Sequence, residues 1–229
     1  MHVAILFIGL LALIFGPQIW VRIVMRRHAG EIANLPGTGG ELATHLIEAH
    51  DLDGVTVEMT EASGDHYDPV ERCVRLSPTN YGGKSLTAVA IAAHEVGHAL
   101  QHRENDRRLE LRTRMGPIVH RLGKLSITAM WLAPLVGLIT RHPAPFSLML
   151  LLGLSGLVAR VLMHLVTLPT EWDASFGKAL PILIRDKYIA PGEQPAVRQV
   201  LRAAALTYFS SALADVLNLA RWAMILLRR

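Results

Sequence analysis

Phe146-Ser-Leu-Met-Leu-Leu-Leu-Gly-Leu-Ser-Gly-Leu-Val-Ala-Arg-Val-Leu-Met-His-Leu-Val-Thr-Leu168 decides the fold. Only Arg160 and His164 interrupt its apolar character. A helix of that length, rising about 1.5 Å per residue, crosses the roughly 30 Å hydrocarbon layer of a bilayer. Residues 118–139 form a second such run. Its His120, Arg121 and Lys124 stand near the start, where basic side chains can reach back to the interface. The link Thr140-Arg-His-Pro-Ala-Pro145 is short and rich in turn formers, so the pair predicts a helical hairpin in the membrane.

Working outward, residues 3–21 are apolar and uncharged, with Gln18 the one polar side chain. No Lys or Arg precedes them, no small-x-small site follows, and Arg22, Arg26 and Arg27 come directly after. That reads as an uncleaved anchor rather than a signal peptide, with Pro17 placed to kink it. Residues 203–227, containing Asp215, Asn218 and Arg221, read as a fourth span. The alternative there is an amphipathic helix lying on the interface. Arg160 and Asp215 are costly in lipid unless paired or hydrated, and facing each other between the third and fourth spans would satisfy both.

Composition agrees with this layout. Hydrophobic residues make up 51% and charged residues 18% of the 229, against about 25% charged in a soluble domain. The lone Cys73 excludes an internal disulfide framework and a cysteine-based zinc ribbon. The net charge of +4 gathers beside the apolar runs, which suits a membrane surface. No basic stripe with interleaved aromatics is present, so no nucleic-acid partner is expected. The expected layout is an anchor (1–27), a polar segment (28–117), a membrane hairpin (118–168), a second polar segment (169–202) and a last span (203–229). Arg103, Arg107, Arg108, Arg112 and Arg114 precede the hairpin, and Lys178, Arg185, Lys187, Arg198 and Arg202 follow it. Both polar segments are therefore expected on the cytoplasmic side, where they can build one site. Arg228 and Arg229 run against that orientation if the last span crosses.

The chemistry sits in His94-Glu95-Val96-Gly97-His98, an H-E-x-x-H motif preceded by a good helix former with Ser85 available as its cap. On a helix the two imidazoles share a face and can converge on one zinc ion. Glu95 can then reach the water that the metal activates, the arrangement of zinc-dependent peptidases. A third protein ligand is needed, with one position open. His102 stands about 12 Å along the axis from His94, too far to share the ion, and reads as a surface or ligand-supporting residue. Gln101 and Glu104 occupy the positions where the metzincin pattern requires Gly and His. A downstream carboxylate remains: Glu171, Asp173, Asp186, Glu193 or Asp215. Glu171 and Asp173 are favoured by position, at the start of an expected helix that Thr170 could cap, and spacing does not choose between them.

Upstream, Asp65-His66-Tyr67-Asp68-Pro69 separates two strand-like runs, 55–59 and 73–77, and the whole reads as a hairpin-like unit. An edge strand there could pair with an extended substrate, with His66 or Tyr67 as candidate substrate or oxyanion contacts. The other reading is a polar turn whose carboxylates satisfy local backbone groups. Cys73 reads as a small packed residue.

The chain resembles the YugP-like neutral zinc metallopeptidases, a family of bacterial membrane proteins. The resemblance is carried by Gly64-Asp-His-Tyr-Asp-Pro69, Val74-Arg-Leu-Ser77, Ser85 through Gln101, and Leu168-Pro-Thr-Glu-Trp-Asp-Ala-Ser175. It implies a mainly α, multi-span membrane protein with a small zincin-like α+β domain. It also implies Zn2+ held by His94, His98 and Glu171, with Glu95 as catalytic base. More distantly, Glu171-Trp-Asp-Ala-Ser175 is similar to the E-x-E-A-D element of HtpX-type membrane proteases, whose final Asp orients a ligand. Here that position is Ser175, so Ser175 or Asp173 is the candidate to orient a histidine. The implied activity is endopeptidase cleavage of protein or peptide substrates in or beside the lipid bilayer of the inner membrane. The alternative is a zinc-stabilised, non-catalytic membrane scaffold or adaptor.

Overall fold

The computed structural model describes residues 2–61 and 64–227. Most side chains before residue 15, that of residue 210 and those after 217 lie outside this description. Helix α1 spans His2–Arg27, and the anchor expected over residues 3–21 lies within it, largely among those undescribed side chains. Among the described residues, three later helices are long and apolar enough to cross a membrane, within Arg107–Thr140, Pro143–Arg185 and Gln194–Leu217. The chain is a helical membrane protein with a small α+β domain, as its sequence predicts.

The backbone divides into two compact units. The first comprises residues 1–110 and 168–207 and contains the α+β domain. Its α2 (Gly39–Ala49) starts at a capping box: Thr38 Oγ1 accepts from Glu41 N–H at 3.2 Å, and Glu41 Oε2 accepts from Thr38 N–H at 2.7 Å. Strands β1 (Thr56–Met59), β2 (His66–Asp68) and β3 (Cys73–Leu76) form a sheet in the order β1-β3-β2. This differs from the expected hairpin. The runs at 55–59 and 73–77 pair in parallel, Thr56 opposite Cys73, and parallel neighbours cannot be joined by a tight turn. The polar segment between them is itself strand β2, antiparallel to β3 with Tyr67 opposite Val74, and it forms one edge. Asp65 pins its start: Oδ1 accepts from Ser77 N–H at 2.7 Å, and Oδ2 accepts from Asn80 Nδ2 at 2.8 Å. Cys73 is a buried free thiol.

After the short α3 (Pro78–Tyr81) comes α4 (Leu86–Arg103), capped by Ser85 Oγ, which accepts from Ala88 N–H at 3.1 Å. Every residue of α4 from Leu86 to Gln101 is buried. A helix apolar on most sides is a core helix. The domain core gathers around it, with Leu46 and Ile47 of α2, Val74 and Leu76 of β3, and Leu183, Val197 and Leu201 further along.

In the second unit (residues 111–167 and 208–229), α5 (Arg107–Thr140) and α6 (Pro143–Trp172) form the expected hairpin. Its turn needs only two residues: Arg141 adopts φ +52°, and Pro143 occupies the first helical position, where its missing N–H is harmless. Ser126 Oγ of α5 donates to Leu152 O of α6 at 2.9 Å. Asp215 of α8 (Gln194–Leu227) faces α6, its Oδ1 2.8 Å from Arg160 Nη2 and its Oδ2 3.3 Å from His164 Nε2 without hydrogen-bond alignment. The facing of Arg160 and Asp215 inferred from the cost of charge in lipid is thus present.

No new helix begins at Thr170. Helix α6 runs through Pro169 to Trp172 and passes directly into a π-helical stretch, Asp173–Ala179, and then into α7 (Leu180–Arg185). Thr170 is a mid-helix residue with a buried Oγ1 that has no hydrogen-bond partner, not a cap.

Candidate metal centre

Two elements of the first unit build the site: α4 and the junction of α6 with the π-helical stretch. They pack closely because of Gly97. A Cβ at that position would lie 2.7 Å from Ala174 O, so the fourth residue of H-E-x-x-H must lack a side chain for the π backbone to approach. Single π turns inside α-helices are uncommon and occur often at functional sites. At the beginning of this one, Gln101 Nε2 donates to Thr170 O at 2.9 Å.

One ligand atom each from His94, His98 and Glu171 lies within 4.8 Å of the others, and all three residues are buried. Glu171 Oε2 is 3.2 Å from His94 Nε2 and 3.5 Å from His98 Nε2. The chain thus brings the motif's two histidines to Glu171. Asp186 is engaged by Arg185, Glu193 accepts from Ala190 N–H, and Asp215 belongs to the second unit.

The partners of the far ring nitrogens settle the proton positions. Gln101 Nε2 faces two acceptors, Thr170 O and Asp173 Oδ2 (2.8 Å), so it is the amide nitrogen and Oε1 points to His98. His98 Nδ1, 2.9 Å from that oxygen, must carry the proton. Ser175 Oγ donates to Leu201 O at 3.2 Å and therefore accepts from His94 Nδ1 at 3.0 Å. Both Nε2 atoms are left as lone pairs directed at a carboxylate oxygen. With neutral imidazoles, acceptors face an acceptor in a buried site, an arrangement that a cation between them satisfies. Two imidazoles and one carboxylate are a donor set that zinc takes, with a further position for water or substrate.

Glu95 lies between the two histidines on α4 and is 6% exposed. Asp173 and Ser175, the candidates to orient a histidine, both reach the site: Ser175 touches His94 directly, and Asp173 acts on His98 only through Gln101. Gln101 and Gly97 are what the sequence reading passed over. Gln101 had a signal, since it stands three residues after His98 on the same helical face. Tyr67 and His66 are not brought into the cluster. The Tyr67 hydroxyl lies 2.8 Å from His102 Nδ1, and burial pushes its ionisation up to about 12. His66 is exposed and bonded to Gly64 O. His102 thus supports β2 rather than the ion.

Comparison with known proteins agrees with this geometry. The family model described as "Putative neutral zinc metallopeptidase" matches residues 3–227. The chain is 37% identical over 221 residues to the "Putative membrane protease YugP" of Bacillus subtilis (strain 168), covering 96% of this chain and 94% of that protein. No solved structure matches it. With a buried His-His-Glu cluster fitted to a metal and the family match running nearly end to end, the chain belongs to the neutral zinc metallopeptidase family of membrane proteins.

Proposed function

We propose that the protein is a zinc-dependent endopeptidase that cleaves membrane proteins or juxtamembrane segments, with its two polar segments on the cytoplasmic side of a bacterial inner membrane. The observation carrying this reading is the buried convergence of His94, His98 and Glu171 around the carboxylate-bearing turn of Glu95. Bound zinc supplies Lewis acidity toward the scissile carbonyl and toward water. The Glu95 carboxylate takes a proton from the attacking water as the carbon–oxygen bond forms. It returns that proton to the amide nitrogen as the carbon–nitrogen bond breaks, so proton and electron pair leave together with the amine. Glu171 contributes the negative charge of the ligand set, while Ser175 and Gln101 hold the two rings with their Nε2 atoms inward. Edge strand β2 offers backbone groups to an extended substrate, with His66 and Tyr67 the candidate contacts along it.

Glu95 also separates this reading from a zinc-stabilised scaffold, which has no use for a carboxylate between the two histidines. Glu95→Gln is expected to retain zinc and lower cleavage of a membrane-bound reporter by about 100- to 10,000-fold. His94→Ala is expected to lose the metal. Undiminished cleavage by Glu95→Gln removes the peptidase reading. A wild-type protein that binds zinc and unfolds on chelation, yet cleaves no membrane reporter, supports the scaffold.

A further inference from the structure

An open groove in the first unit, lined by none of the metal-cluster residues, lies between the C-terminal end of α1 and the loop leading into α4. It holds about 970 Å3, and no step proposed above uses it. Its cations are Arg22 and Arg26, four residues apart on one face of α1, and Lys84 from the facing loop. None of the three stands within ion-pair distance of a carboxylate among the described residues, and Glu41 acts on Lys84 only at longer range. The carboxylates on the wall are Glu31 and Asp65, and both oxygens of Asp65 are already occupied by Ser77 N–H and Asn80. Val21, Met25 and Ile91 supply an apolar flank.

The walls are tied together by hydrogen bonds within the chain that require no ligand. Ile32 N–H donates to Lys84 O at 2.8 Å, Thr87 N–H to His28 O at 3.1 Å, and Thr87 Oγ1 to Met25 O at 2.9 Å. The end of α1 is thereby fixed to the first turn of the helix that carries the metal ligands. The groove also stands at a definite level. Immediately before and beside its cations, α1 exposes Ile19 (52%), Trp20 (38%) and Ile23 (58%), a side chain set suited to the boundary between acyl chains and headgroups.

We propose that this groove binds the phosphate headgroup of one anionic phospholipid, with Arg22, Arg26 and Lys84 around the phosphate and the start of an acyl chain along Val21, Met25 and Ile91. The site is saturable and distinct from the general attraction of basic loops to a charged leaflet. It does not depend on the peptidase reading, only on membrane residence. Because Thr87 and Ile91 belong to α4, headgroup binding steadies the helix that carries His94 and His98.

The test uses the full chain in detergent, titrated with phosphatidylglycerol or phosphatidylcholine, with bound lipid counted by native mass spectrometry. The wild type is expected to take one phosphatidylglycerol in preference to phosphatidylcholine. Each basic residue near an anionic headgroup contributes about fivefold in affinity, so R22Q/R26Q/K84Q together should weaken binding about 100-fold. K84Q alone, in a loop outside the apolar helix, should weaken it about fivefold and serves if the triple variant fails to fold. The charge-preserving R22K/R26K/K84R should retain most of the affinity. Equal retention of phosphatidylcholine, or an unchanged affinity in K84Q, overturns the proposal. So does displacement of the lipid by inorganic phosphate at matched concentration, which would assign the groove to a free anion.

Discussion

Gln101 Nε2 sits 2.8 Å from Asp173 Oδ2 while Gln101 Oε1 accepts from His98 Nδ1 at 2.9 Å. A carboxylate on the π-helical stretch thereby dictates, through one amide, which nitrogen of a motif histidine faces the metal. Gln101 is fully buried, so the amide has no water to fall back on. Gln101→Leu keeps the volume but leaves His98 Nδ1–H and Thr170 O without this partner. Zinc affinity should fall about 10- to 100-fold, read by competition with a calibrated chelator. Asp173→Asn, whose side-chain oxygen can still accept from Gln101, should retain affinity far better than Asp173→Ala. Equal losses in the two Asp173 variants would show that the carboxylate acts some other way.

A methyl group at residue 97 tests the close approach of the two site elements. The Cβ of Gly97→Ala would meet the Ala174 carbonyl at 2.7 Å, and backbone on both sides cannot give way cheaply. Overpacking of this kind costs about 1–3 kcal/mol. The thermal midpoint should drop and zinc affinity with it, because the strain separates His94 and His98 from Glu171. A variant with normal stability and normal zinc affinity would mean that the helices slide apart without disturbing the ligands.

The contrast between Gly97 and Glu171 shows what the sequence could say. The three apolar helices after residue 106, the helical hairpin and the H-E-x-x-H helix were legible because long apolar runs and a fixed spacing on one helix are local patterns. Glu171 was narrowed by position and singled out only through the family resemblance, since spacing alone left Asp173 equally open. The parallel pairing of β1 with β3 was not legible. The intervening segment 65–69 is rich in polar residues and reads as a turn, whereas tertiary contacts, Asp65 to Ser77 and Tyr67 to His102, hold it as an edge strand. The π-helical stretch left no local mark either, because its register is set by packing against α4. Gly97 did stand in plain view inside the motif, and its role became visible only once Ala174 was found against it.

Acid should loosen the β2–β3 hairpin before the rest of the domain. Burial works against the charge of Asp68. The N–H groups of Glu71 and Val70 and the Arg75 guanidinium outweigh it and hold the carboxyl below its ordinary value. A depressed folded-state value stabilises the fold above the unfolded value of about 3.9, and the contribution is lost as pH falls through the folded value. Protection of the Tyr67 and Val74 amides, measured against their intrinsic exchange rates, should therefore fall below about pH 4 in the wild type. Asp68→Asn, which can still accept from Val70 and Glu71, should show a weaker acid dependence. An identical acid profile in both proteins would place the titrating group elsewhere.

The pairing of Arg160 with Asp215 in the second unit is tested by exchanging the charges. Asp215 is 5% exposed, so Arg160→Asp would set a second carboxylate beside a buried one between two apolar helices. The loss should be on the order of 2 kcal/mol. That is less than for a fully buried pair, because the Arg160 side chain is 37% exposed and solvent or headgroups can screen it. His164, 3.3 Å from the other carboxylate oxygen, still offers Asp215 a partner in Arg160→Ala, which should be milder than the reversal. The double exchange, Arg160→Asp with Asp215→Arg, should recover most of the thermal midpoint measured in detergent. If the exchanged protein melts no higher than the single reversal, the two side chains do not stabilise each other and each meets its charge through water or headgroups instead.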